Sequence, residues 1–211
     1  MKRQLLGIGL LFVALATTNT LASVFSAGPA SFSLGTTTIT FDGLTDGTEV
    51  NGLVVSGVLF TYSLGDGQVI IDGGPGVTNN INPPNVVSVG DPSGMMKISL
   101  PAPATLFSYG YAIEDTGFVA DATTIALYSG STFIGSMSYD GDSDPNFTGG
   151  FAGIGSTIPF DTAYLTFNSV APAWAFDNVA FNSAVPEPST LILLGSGIVG
   201  IAGFVRKRFS A

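Results

Sequence analysis

The sequence predicts an all-β fold, a jelly-roll-type β-sandwich, and three observations carry that reading. No stretch between residues 28 and 184 sustains a 3.6-residue apolar period. The same region is a series of short apolar alternations separated by Gly, Pro, Asn and Asp turn signals. Some connections are long, which favours a jelly roll over a simple meander. No internal repeat is present, so a solenoid or propeller is not expected. Outside this body the sequence predicts an N-terminal signal helix and a C-terminal single transmembrane helix.

The elements follow in order. A strand is expected over 38–41, ending in the turn at Asp42-Gly43. A long β-branched run over 53–63 contains Gly57 as a breaker, and 68–71 is its hairpin partner across Gly65-Asp66-Gly67. Residues 72–84 read as loop, with Gly73-Gly74-Pro75 and Asn82-Pro83-Pro84 as breakers. Segments 85–89 and 95–100 read as a hairpin across 90–94. The clearest strand is 105–113, where Phe107, Tyr109, Tyr111 and Ile113 share one face at period two. Segments 123–129 and 132–138 flank Gly130-Ser131, a two-residue hairpin turn. A Gly-broken strand at 147–154 and strands at 163–168 and 174–181 complete the body.

The two ends have a different character. Lys2-Arg3 and the apolar stretch from Leu5 to Ala16 form the n- and h-regions of a Sec signal peptide. The small-residue cleavage site is Thr20-Leu21-Ala22, with Val24-Phe25-Ser26 as the alternative. The expected division is therefore a signal peptide over 1–22, a sandwich over 23–184 and a sorting segment over 185–211. That last segment begins with Val185-Pro186-Glu187-Pro188-Ser189-Thr190, where two prolines forbid helix. An uncharged run from Leu191 to Val205 follows, then Arg206, Lys207 and Arg208 as a basic stop. At ~1.5 Å per residue the run covers about 22 Å, enough for a thin span when flanking residues contribute and the basic side chains snorkel. The positive-inside tendency places the basic end in the cytoplasm.

Charge narrows the function. Between Gly28 and Val185 fourteen carboxylates face a single cation, Lys97. Such a body repels phosphate backbones, which argues against nucleic acid, and it attracts divalent cations. There is no cysteine and no histidine. Disulfide staples, Ser-His-Asp and Cys-His catalysis and His-ligated metals are excluded. Paired carboxylates, as in glycoside hydrolysis, are what remains for an enzyme, and Glu49, Glu114 and Asp115 are the candidates. Asp140, Asp142 and Asp144 alternate in one loop, a common start for a calcium site. It is not an EF-hand, since Pro145 stands where that loop needs Gly. Trp174, and behind it Tyr62, Tyr128 and Tyr139, are candidates for stacking on sugar faces.

The C-terminal string of Pro-Glu-Pro-Ser-Thr, a Gly-containing apolar run and an Arg-rich end closely resembles the PEP-CTERM sorting signal. The resemblance implies a Gram-negative, exopolysaccharide-producing source. It also implies recognition of the Pro-Glu-Pro element by exosortase, a membrane-embedded protease that removes the tail. Ile39-Thr40-Phe41-Asp42-Gly43-Leu44 near the start and Phe176-Asp177-Asn178-Val179-Ala180-Phe181 at the end are similar to the lectin-like jelly-roll domain common among such secreted proteins. That likeness implies a structural calcium where a carboxylate near the first strand, Asp42 or Glu49, meets Asp177 of the last.

The expected function is thus an exported, exosortase-sorted, non-enzymatic protein of the cell surface or extracellular matrix, structural or polysaccharide-binding. The Sec machinery, exosortase, the inner membrane and an extracellular polysaccharide are its expected partners. It is transiently anchored in the membrane before release. The alternative is an extracellular glycan-active enzyme using paired carboxylates.

Overall fold

The computed structural model describes residues 22–32 and 35–183. Among them are eleven strands and one 3-10 turn, Pro29–Phe32, and no helix long and apolar enough to cross a membrane. The expected signal segment up to residue 21, the sorting motif Val185–Thr190, the apolar run and the basic end Arg206–Arg208 lie outside the described residues.

The strands are β1 (Val24–Ser26), β2 (Thr36–Ile39), β3 (Val54–Val55), β4 (Val58–Tyr62), β5 (Val69–Asp72), β6 (Asn85–Ser88), β7 (Met96–Ile113), β8 (Val119–Ser129), β9 (Thr132–Gly141), β10 (Thr148–Phe167) and β11 (Trp174–Asn182). All the named pairings are antiparallel and join them into one continuous sheet. The sheet becomes a sandwich because β7 and β10 each serve both layers. In layer one the order is β5-β6-β11, then the second half of β7 and the first half of β10, with β2 also on β11 and β1 on β10. In layer two it is β3-β4, the first half of β7, the second half of β10, β8 and β9.

The sequence dictates where these long strands turn. Pro101 and Pro103 lack the N–H that a ladder needs, and they occupy the exposed stretch of β7 between its two halves. In β10 the register shifts twice between Gly155 and Thr162, opposite that stretch. Four strands expected separately, 95–100 and 105–113, and 147–154 and 163–168, accordingly join two by two into single strands that cross between layers.

Two expected hairpins are corrected. Strand β5 does not pair with β4 but with β6, and β6 does not pair with β7 but with β5 and β11. The long run at 53–63 is itself a hairpin. Ser56 and Gly57 both have positive φ, 51° and 80°, and join Val55 to its partner Val58. The β8–β9 hairpin is as expected, with Ser129 opposite Thr132.

The core lies between the layers, and its largest buried side chains are aromatic. Phe60 of β4 meets Phe41 at 5.4 Å and Phe176 of β11 at 6.4 Å. Tyr109 of β7 packs edge-on to Phe176 and Phe167. Burial of each such ring contributes roughly 1.5–3 kcal/mol, which a domain without disulfides requires. Tyr109 and Tyr111 keep their hydroxyls satisfied by Thr123 and the Asp140 carbonyl. Burial raises the pKa of both phenols, so they stay neutral donors.

Candidate functional site

Alternation in layer two sends one set of side chains into the core and the other outward. Ile98, Ala163, Leu165, Ile125 and Leu127 are buried. Their neighbours in sequence therefore form the outer face. The register sets them side by side: Tyr164 lies between Lys97 and Ala126, Thr166 opposite Thr124, and Thr162 opposite Tyr128. Strand β9 extends this face with Phe133 opposite Tyr128 and Ser136 opposite Ala126.

The result is an aromatic cluster on the outer face, in which Tyr128 and Tyr164 are half-buried and Phe133 is exposed. Tyr128 packs edge-on to Tyr164 at 5.1 Å and to Phe133 at 5.4 Å. Phe133 is 54 % exposed. Beside the two tyrosines runs a shallow groove of about 300 Å³ lined by Met95, Thr124, Ala126, Tyr128, Tyr164 and Thr166. The Thr124 and Ser138 hydroxyls hydrogen-bond across β8 and β9 at 2.9 Å. Lys97, the one cation among the described residues, stands next to Tyr164. Chemically the face offers ring surfaces for C–H stacking and a border of hydroxyls for hydrogen bonds. Of its aromatic residues, sequence reasoning had only Tyr128. The signal for Tyr164 was present in the alternation Ala163-Tyr164-Leu165-Thr166, where Tyr falls out of phase with the core.

Trp174 does not have the stacking role expected of it. It is 2 % exposed, its ring lies on Phe167, and its indole N–H donates to the Pro92 carbonyl at 2.9 Å. Both its apolar surface and its polar handle are used by the core. Tyr62 is equally buried, with its hydroxyl donating to the Asp91 carbonyl. Tyr139 is half-buried and donates to the Gly153 carbonyl.

The acidic candidates separate. Among the described residues, no three acidic side chains come together as a metal site. Asp140 accepts the Asp121 backbone N–H, where β8 has a positive φ of 49°. Asp144 accepts the N–H groups of Asn146 and Phe147, which hold its pKa below the usual carboxylate range. Asp142 is exposed and its backbone pairs with Gly149. Asp144 thus shapes this loop, Asp140 ties its start to β8, and Asp142 joins it through the backbone. Glu49 is committed too, since its two oxygens accept the N–H groups of Asn51 and Gly67. Asp115 accepts from Gly117, and Glu114 is exposed at the rim of an apolar cavity with Phe147 and Trp174.

Asp42 acts on Asp177 through its charge. Asp177 is fully buried at a bulge in β11, where the register against β7 shifts between Asp177 and Ala180. One oxygen accepts the Asn82 N–H at 2.9 Å, and the other has no partner. Burial pushes its pKa up to about 6, the N–H groups of Asn82 and Asn178 oppose that rise, and the charge of Asp42 adds to it. Asp42 is exposed and accepts the Thr40 hydroxyl. The pair can offer a divalent cation one buried and one exposed carboxylate, and a hard oxygen set of that kind suits calcium. Glu49 adds nothing to it.

Residues 184–208 match the PEP-CTERM protein-sorting motif, which implies an exported protein sorted to the cell surface and processed by exosortase. No curated protein sequence matches the chain. Among solved structures, the K2 cleaved adhesin domain of Lys-gingipain is similar at 14 % identity and a TM-score of 0.47, covering 70 % of this chain and 99 % of that one. A GH26-CBM35 β-(1,4)-mannanase from Podospora anserina is similar at 15 % identity and a TM-score of 0.38, over 73 % of this chain and 29 % of the mannanase. A family 29 carbohydrate binding module is similar at 10 % identity and a TM-score of 0.31, over 61 % of this chain and 98 % of the module.

Proposed function

We propose that this exported chain, sorted by its PEP-CTERM motif, is a non-catalytic polysaccharide-binding protein of the cell surface or matrix, and that it binds through the outer face of layer two. The observation that carries this reading is the solvent-facing cluster of Tyr128, Tyr164 and Phe133 beside a groove edged with threonines. Aromatic rings outside the core cost solvation, and a sugar ring laid on them recovers that cost by covering apolar surface. Fourteen carboxylates on the body oppose a polyanion, so the preferred ligand is an uncharged glycan chain.

Affinity electrophoresis of the exported protein tests this, with soluble neutral polysaccharides in the gel and a polyuronate for comparison. The neutral chains should retard the protein. Tyr164→Ala and Tyr128→Ala should each weaken retardation about tenfold, equivalent to ~1.4 kcal/mol. Equal migration with and without every neutral polysaccharide would sink the reading.

A further inference from the structure

The first and last described strands leave the sandwich at the same pole. In layer one the order β1-β10-β7-β11 places Val24 against Ser156, Gly155 against Leu106, and Phe181 against Phe107. The start of β1 and the end of β11 therefore lie at one end of the layer, three strand spacings apart, or about 14 Å. Both ends are secured there. Ser23 and Thr157 exchange backbone and side-chain hydrogen bonds. The Asn182 side chain accepts the N–H groups of Thr105 and Leu106 and donates to the Thr105 hydroxyl. The opposite pole is formed by Ile113, Trp174 and Thr148, which share one register line, and by the acidic loop that precedes Thr148.

We infer that the pole bearing Ser23 and Asn182 faces the membrane in the unprocessed chain, and that the pole bearing Trp174 and the acidic loop faces away from it. This rests on the sorting motif and not on the glycan reading. The two apolar segments of the sequence, ending at Ala16 and beginning at Leu191, flank the body on either side. From Asn182 to Leu191 is nine residue steps, which reach at most about 30 Å when fully extended. From Leu106, level with Asn182, to Ile113 at the far pole is seven steps of β7, about 23 Å. To lay the far pole on the bilayer, the tail would have to double back along most of the body in a nearly extended conformation. The N-terminal segment, seven steps from Ser23, would have no slack at all. The near pole needs neither stretch. The apolar cavity at Glu114, Phe147 and Trp174 then lies toward the pole away from the bilayer.

The chain has no cysteine, so one engineered thiol is a unique attachment point. The full chain would be reconstituted in phosphatidylcholine vesicles containing a lipid with a quencher on its headgroup. Ala102→Cys lies in the exposed crossover of β7 near Thr105, far in sequence from both termini. Ser143→Cys lies in the exposed acidic loop. A fluorophore at position 102 should be quenched severalfold more than one at position 143. Equal quenching at both positions, stronger quenching at 143, or none at either overturns the inference.

Discussion

Trp174 lies nearly flat on Phe167, with ring centroids 4.4 Å apart and planes 12° from parallel. The pair joins the first residue of β11, in layer one, to the last residue of β10, in layer two. Tyr62 at 5.9 Å and Phe176 at 6.0 Å extend the contact.

This joint sets a stability prediction. Trp174→Ala should cost about 3–5 kcal/mol by transfer and cavity effects. Trp174→Phe keeps the stacking and loses the bond to Pro92, for about 1–2 kcal/mol. Urea unfolding measures both. A Trp174→Ala cost under 1 kcal/mol would contradict its place in the core.

Asp177 sets a pH dependence. Its folded pKa of about 6 lies above the ordinary carboxylate value, so the native state prefers the protonated acid. Its contribution to stability is fully present below about pH 4 and is lost as the pH rises through 6. The loss is at most on the order of 2–3 kcal/mol. Asp177→Asn keeps an acceptor for the Asn82 N–H and should be more stable than the parent at pH 7.5, with a flatter profile between pH 4 and 7. Parallel profiles for parent and variant would show that another group sets the dependence.

Calcium should act against that same penalty. A cation held by the partnerless oxygen of Asp177 and by Asp42 favours the ionised form and stabilises the fold by linkage. Millimolar calcium should raise the melting temperature at pH 7.5 by several degrees over chelator, and Asp42→Asn or Asp177→Asn should abolish the rise. Retention of the full calcium shift in Asp177→Asn would place the ion elsewhere.

Strand β1 favours the first of the two expected signal-cleavage sites, after Ala22. Val24 fills the space above Gly135, Phe25 lies on Gly155, and the N–H of the buried Ala27 donates to Gly153 at 2.7 Å. Cleavage after Ser26 would remove the whole strand, whereas cleavage after Ala22 leaves it intact. Mass spectrometry of the exported protein should find Ser23 at its N-terminus. A mature chain beginning at Ala27 would refute this.

Much of the local structure was legible because it depends on near neighbours in the chain. Thr123 to Ser138 shows its hairpin through Gly130-Ser131 and period-two alternation, and the fold keeps it. The joining of 95–100 to 105–113 was not legible, because proline ordinarily ends a central strand, whereas Pro101 and Pro103 form a crossover in the middle of β7. Strand β1 was not legible, because Val24-Phe25-Ser26 reads only as an alternative cleavage site and three residues carry too little alternation to mark a strand. Trp174 drew attention as the single tryptophan, but identity alone cannot tell a ring that stacks on Phe167 from one that stacks on a ligand.

By itself the sequence determined the all-β class, the acidic and cysteine-free character of the body, and the sorting motif at 184–208. Each of these rests on residue type and short-range period, which the chain carries without folding. Only the tertiary structure decided that Tyr128, Tyr164 and Phe133 share one outer face, that Asp42 rather than Glu49 lies near Asp177, and that β1 begins where β11 ends. Those facts depend on strand pairing between residues up to well over a hundred positions apart. The pairing is chosen by how the whole set of aromatic and aliphatic side chains fills the space between two layers.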